Sequence, residues 1–232
     1  MAEGITLDFD AIFAAYYNLY RAEADTPAST DEEYTVALKL ANEALSRWAN
    51  YDGVYWNQLY TTLVAAEDGG KTTATGQSEY ECPSDMREPG GMVKLISGTD
   101  IVKSIRVVQP HETQFQNPSA DYCYFTGSPA TGFTLNFNLA PTIELNGYEI
   151  NYIYYKNPTE YSTGTDISEI PNAYFIVHRM LAMRFRASRN PYYQSALRDS
   201  EDALKLMQID NNSGSWNNPW KVSDNSGSIW GG

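Results

Sequence analysis

The chain has 232 residues, 42% of them hydrophobic and 19% charged, with 18 tyrosines and a formal net charge of −13. That composition excludes a disordered chain, which shows few aromatics and more charge. It also excludes a protein whose main business is gripping nucleic-acid phosphate, since that affinity comes from Lys and Arg. No apolar run reaches membrane length, and MAEGITLDFDAIF carries acids where a signal peptide has a basic region. The two cysteines, Cys82 and Cys123, read as reduced thiols in a cytosolic setting, with a disulfide between them left open.

Residues 7–22 place Phe9, Ile12, Phe13, Tyr16, Leu19 and Tyr20 at spacings of three and four, which predicts an amphipathic helix. PASTDEE reads as a helix start, with Ser29 or Thr30 as the cap and Glu32 or Glu33 three residues on. Tyr34, Ala37, Leu38, Ala41, Leu45 and Trp48 mark a second helix, ending near the Asp52-Gly53 turn. VYWNQLYTTLVAA then favours a strand or short hairpin through its Thr, Tyr and Val content. Residues 67–92 read as loops with short strands. GMVKLISG, KSIRVVQP, FTLNFN and YEINYIYY read as strands, the last two joined by a turn-rich connector ending in Asn146-Gly147. Helical period returns after Pro171, with Tyr174, Val177, Leu181 and Phe185 on one stripe of residues 171–188. Asn190 caps a further helix with Pro191 at its first position, and Tyr193, Ala196, Leu197, Leu204 and Met207 form its buried stripe. After Asp210 the composition breaks, and NNSGSWNNPWKVSDNSGSIWGG has neither period. The expected fold is α+β: a helical bundle from residues 1–54 and 166–210, a β-rich insertion over 55–165, and an extended C-terminal arm over 211–232.

Residues for chemistry are sparse. His111 and His178 with two scattered cysteines give no metal spacing. No phosphate loop, dinucleotide fingerprint or nucleophile elbow occurs, and GSPATG lacks the lysine and following helix that a phosphate loop needs. Asp166 and Glu169 read as acids at a helix entrance, where the dipole favours them, rather than as paired catalytic carboxylates. Neither an enzyme nor a cofactor or metal is expected. Tyr122, Tyr124, Phe125, Tyr152, Tyr154 and Tyr155 support an alternative, a carbohydrate- or surface-binding β module with aromatic stacking platforms, although tyrosines at alternate strand positions are commonly half-buried sheet residues.

FIVHRMLAMRFRASRNPYY, residues 175–193, stands out. Five of nine arginines fall between 179 and 198, while the first hundred residues carry 17 acidic and 6 basic side chains. At 100° per residue, Arg179, Arg186 and Arg189 fall within about a quarter of the helix circumference, with Arg184 on the far side. Arginine lays its stem along apolar surface and pairs its head with acids. The Arg179/Arg186/Arg189 face is therefore expected to meet the acidic surface of the first hundred residues, inside one chain or between copies, where a ring contact needs two different patches. In the arm, Trp216, Trp220 and Trp230 sit among too few apolar residues to fold alone. The arm either folds back on its own domain or docks on another subunit and orders there. Three anchors spread over fifteen residues favour docking.

The stretches ANEALSRWANYDGVYWNQLYTT, SEYECPSDMREPGG, YCYFTGSPATGFTLNFN and GYEINYIYYKNPTEYSTGTDISEIPNAYFIVHRMLAMRFRASRNPYYQSALRDSEDALKLM together carry a resemblance. In that order they resemble head–tail adaptor (connector) proteins of tailed bacteriophages, including the tail-tubular adaptor type of podoviruses. The shared pattern is a helix pair ending in a tryptophan before a glycine turn, a β module closing in a Pro-containing loop, an apolar strand, and an acidic-Pro step (Glu169-Ile170-Pro171) into an arginine-bearing helix. It covers most of the chain to about residue 210, and none of its motifs is catalytic. The resemblance implies a structural virion protein, made in the host cytoplasm and placed at the head–tail junction. It implies a homo-oligomeric ring, typically of twelve copies, under the portal protein and above a tail or neck protein. Duplex DNA would pass through its channel without specific binding, and no membrane is involved. Arg179, Arg186 and Arg189 become subunit-interface residues, and Trp216, Trp220 and Trp230 the portal-binding anchors of residues 211–232.

Overall fold

The computed structural model describes residues 6–21, 25–51, 53–63 and 71–213. The chain is a mixed α+β protein that divides into two units, one spanning Met1–Leu59 and Pro158–Gly232, the other Tyr60–Asn157.

The first unit holds four helices: α1 Phe9–Tyr20, α2 Glu32–Ala49, α3 Tyr174–Ala187 and α4 Tyr193–Ser213. The three-and-four spacing of α1 turns Phe9, Ile12, Phe13, Tyr16 and Tyr17 inward. Its first turn is anchored twice. Asp8 caps it, accepting from the Ala11 amide at 2.8 Å. The Phe9 and Asp10 amides, which no helical carbonyl can satisfy, donate to the Asp166 and Gly164 carbonyls. Tyr34 of α2 meets the Phe9 and Phe13 rings edge-on at 5.1 and 4.9 Å. Its hydroxyl donates to Asp10 at 2.7 Å. Burial, then that hydrogen bond, pushes Tyr34 up to about 12, so it stays a donor.

Neither Ser29 nor Thr30 caps α2. Asp31 occupies the cap position and turns its carboxylate back to accept from the Ala28 amide at 2.9 Å, closing the preceding turn instead. At the other end of α2, Trp48 and Trp56 are fully buried, and the Trp56 indole N–H donates to the Trp48 carbonyl at 2.8 Å.

Asp166 and Glu169 are not a helix entrance, because α3 begins only at Tyr174. Asp166 accepts from the amides and hydroxyls of Ser162 and Thr163, and Glu169 from the amide and hydroxyl of Thr159. Both carboxylates fold the loop before α3, as Asx-type acceptors do. Asn42 of α2 holds the same loop through both backbone groups of Tyr161, each at 2.9 Å.

α3 packs against α1, α2 and α4, so its buried set is wider than one stripe: Phe175, Ile176, Val177, Met180, Leu181 and Ala182. Tyr174, expected on that stripe, is exposed. The helix closes on a Schellman motif. The Asn190 amide donates to the Phe185 carbonyl and the Arg189 amide to the Arg186 carbonyl, with Arg189 in the left-handed region at φ 55°. Asn190 then opens α4, its side chain accepting from the Tyr192 amide.

The second unit is a seven-stranded sheet: β1 Tyr60–Leu63, β2 Glu79–Glu81, β3 Met86–Ser97, β4 Asp100–Val107, β5 Tyr122–Ser128, β6 Gly132–Phe137 and β7 Glu149–Lys156. The order is β1-β7-β3-β4-β5-β6-β2, antiparallel except for a two-residue parallel pairing of β4 with β5. β3 starts earlier than GMVKLISG suggests. It runs through Pro89-Gly90-Gly91 along β7, with the register shifting between Gly90 and Lys94, a bulge that absorbs proline and glycine inside a strand. β7 alternates up to Tyr154, burying Ile150, Tyr152 and Tyr154 with Val93, Leu95, Phe125 and Leu135 in one core, while Tyr155 next to it is buried as well. HETQFQNP, which reads as a surface loop, holds most of a two-turn 3-10 helix, Pro110–Phe115.

Candidate assembly surface

The arginines of α3 divide into two kinds. Arg184 points into its own unit. One terminal nitrogen donates to both Glu33 oxygens, at 2.8 and 3.0 Å, and its guanidinium lies 5.4 Å from the Tyr20 ring centre. Both charged side chains are 26% exposed, so the pair is partly shielded from water. The hydrogen bond from Arg184 lowers the Tyr20 pKa, while burial raises that of Tyr16 next to it. Inside the chain the basic-to-acidic meeting is thus made by Arg184, the arginine on the far side of the expected face.

Arg179 is half-buried and, among the described residues, has no hydrogen-bond or ion-pair partner. It lines a pocket of about 300 Å³ together with Arg47 of α2 and Lys205 of α4. Phe175 and Leu204, both buried, line it as well, and so does the exposed Glu201. Arg186 is exposed. Arg189 is exposed as well, but it lies past the last residue of α3 in a left-handed turn, so the 100° projection does not extend to it. The structure keeps Arg179 and Arg186 on one face of α3, seven residues apart, and leaves Arg189 off it. It gathers Arg179 with Arg47 and Lys205, two residues that the sequence pattern leaves out because tertiary packing alone brings them together.

Trp216, Trp220 and Trp230 lie outside the described residues. Their point of departure is fixed. α4 continues to Ser213, three residues beyond the compositional break. Asn211 clips it to the backbone after α2, donating to the Tyr55 carbonyl and accepting from the Asn57 amide, each at 2.9 Å.

The aromatic platforms of the carbohydrate reading are unavailable. Tyr122, Phe125, Tyr152, Tyr154 and Tyr155 are buried in the sheet unit, and Tyr124 is half-buried. Cys82 and Cys123 are unbonded, and burial pushes Cys123 up to about 12 and raises Cys82, which keeps both as neutral thiols. Among the described residues no group of His, Cys, Asp and Glu is arranged to hold a metal ion, and no helix is long and apolar enough to cross a membrane.

Arg179 is thus half-buried between two exposed cations, Arg47 and Lys205, in a chain of net charge −13. The family model of the SU10 adaptor protein matches residues 12–223, across both units, and the chain belongs to that family of phage head–tail adaptors. No curated protein matches the chain.

Proposed function

We propose that this chain is a non-catalytic head–tail adaptor that assembles into a ring, of twelve copies by the family resemblance, between the portal protein and a tail or neck protein of the virion. The observation that carries this reading is the unsatisfied basic surface around Arg179 in a chain of net charge −13 that belongs to an adaptor family. Removing a guanidinium from water is costly unless an anion meets it. Arg184 has its anion inside the unit, whereas Arg179 needs one from outside. Arg186 and Arg189 extend the basic surface of the ring contact. Arg189 holds a backbone conformation in which glycine is the default, and such strain is retained where a side chain is needed for function.

In this reading Trp216, Trp220 and Trp230 are the anchors by which the C-terminal arm grips the portal, leaving from the Asn211 clip. The excess of acidic groups faces the channel, where it repels phosphate and lets duplex DNA pass without being held. The test is co-sedimentation with portal-bearing particles, using the full chain and a chain ending at Ser213. Binding of the full chain that weakens on truncation supports the reading and the role of the arm. Binding of both moves the portal contact to the body of the protein. Binding of neither contradicts the adaptor function.

A further inference from the structure

We propose that the pocket formed by Arg47, Arg179 and Lys205 receives a carboxylate side chain from a second copy of this chain, supplied by the acidic segment leading into α2, namely Asp25, Asp31 and Glu32. This rests on the ring-forming reading above and specifies both halves of the contact.

Three elements each place one cation at the pocket: Arg47 from the last turn of α2, Arg179 from the second turn of α3, and Lys205 from the middle of α4. Their charges are barely answered from within. Arg47 and Arg179 have no ion-pair partner among the described residues, and Glu201 pairs with none of the three. Lys205 reaches only Asp202, at a long 3.7 Å on an exposed face. Cations from three separate elements do not converge without cost. Arg47 and Lys205 are exposed and water screens part of their charge, so the cost centres on the half-buried Arg179, where an entering anion offsets it.

The lining selects the kind of anion. Phe175 and Leu204 offer apolar contact to a methylene stem, and the cations offer charge-assisted hydrogen bonds to its head. A pocket of about 300 Å³ accommodates an Asp or Glu side chain. A phosphodiester chain fits less well, because it has no apolar stem to lay on Phe175 and meets the like charge of Glu201 at the pocket wall.

Asp25, Asp31 and Glu32 are exposed and, among the described residues, make no ion pair. Exposed acids without an ion pair among the described residues also include Glu43, Glu144 and Glu160, so placement along α2 selects the donor. Glu33, the next acid, is already held by Arg184. Glu32 and Arg47 sit at opposite ends of one 18-residue helix, about 22 Å apart along its axis at 1.5 Å per residue. One chain therefore cannot close this pair on itself. A head-to-tail contact closes it between copies, and every copy then offers one acidic and one basic end, as a closed ring requires.

The test uses the full chain, as an equal mixture of ¹⁴N and ¹⁵N protein, coupled with a zero-length carbodiimide that joins an amine to a carboxylate in contact with it. Mixed-isotope peptides joining Lys205 to Asp25, Asp31 or Glu32 are the expected product. In the double variant Arg47→Gln/Arg179→Gln their yield falls about tenfold, the loss expected when charge-assisted hydrogen bonds are removed. A Lys205→Arg variant keeps the assembled mass while losing the coupled peptide, since it lacks the amine. Assembled particles in which Lys205 couples only within its own chain overturn this inference and leave the adaptor reading standing. So does a yield unchanged in the double variant. Failure of the adaptor reading itself appears separately, as loss of co-sedimentation with the portal.

Discussion

Replacing Arg184 by methionine keeps an unbranched apolar stem and removes the guanidinium with its charge. It breaks two hydrogen bonds to Glu33, at 2.8 and 3.0 Å, and the contact with the Tyr20 ring. A fully exposed ion pair is worth about 0–1 kcal/mol, and a hydrogen bond to a charged group about 1.5–3 kcal/mol. With both side chains 26% exposed, the coupling between Arg184 and Glu33 falls at about 1–2 kcal/mol by those two limits. Losing the ring contact adds about 0.5 kcal/mol, so Arg184→Met costs about 2 kcal/mol, or roughly 4–8 °C in Tm for a chain of this size. The assay is a double-mutant cycle of Arg184→Met and Glu33→Gln by urea denaturation. Arg179→Met serves as a comparison, which has no partner to lose and changes stability by less than about 0.5 kcal/mol. A coupling below about 0.3 kcal/mol, the limit of simple additivity, or equal losses for Arg184→Met and Arg179→Met, would refute the division of the arginines into an internal lock and an outward-facing group.

Other perturbations follow from single positions. At Gly127, φ is +109° and an added Cβ would run into the Gly132 carbonyl. Gly127→Ala should therefore cost about 2 kcal/mol or more, read as a drop in the urea midpoint that Gly132→Ala, which meets nothing nearby, does not match in contact terms. Arg189→Gly should raise stability by about 1 kcal/mol through relief of the left-handed backbone while weakening assembly; a destabilised variant would show that the arginine is held there by its own contacts. Hydrogen bonds from Ser162 and Thr163 hold Asp166 well below the usual carboxylate range. A depressed pKa contributes stability above the unfolded value of about 4 and loses it as pH falls toward the folded value. Thermal melts from pH 7 to pH 3 should show Asp166→Asn less stable than the natural chain at pH 7, with the gap narrowing below about pH 4; a constant gap would contradict the assignment.

Much of the helical unit was legible because its signals are local. The spacing of Phe9, Ile12, Phe13 and Tyr16 already names the face that α1 buries, and the same holds for Tyr34 through Trp48 in α2. β7 was legible for the same reason, since alternation alone marks Ile150, Tyr152 and Tyr154. Features that depend on geometry between elements were not. Asp31 displaced Ser29 and Thr30 because its carboxylate found the Ala28 amide. Pro89-Gly90-Gly91 reads as loop until β7 is there to pair with it. The sequence marked α3 as the arginine-bearing helix, but a projection of one helix could not tell that Glu33 takes Arg184, or that Arg47 and Lys205, 132 residues before and 26 after Arg179 in the chain, join it at one pocket.

The most direct measurement is the assembled mass of the full chain and of its Arg179→Glu/Arg186→Glu variant, by native mass spectrometry in the presence of portal protein, with circular dichroism to establish that both are folded. The account predicts a ring-sized complex for the natural chain and a folded protein that fails to assemble for the variant. Assembly by the variant at the same mass and yield would contradict the claim that the basic surface around Arg179 is where copies of this adaptor meet.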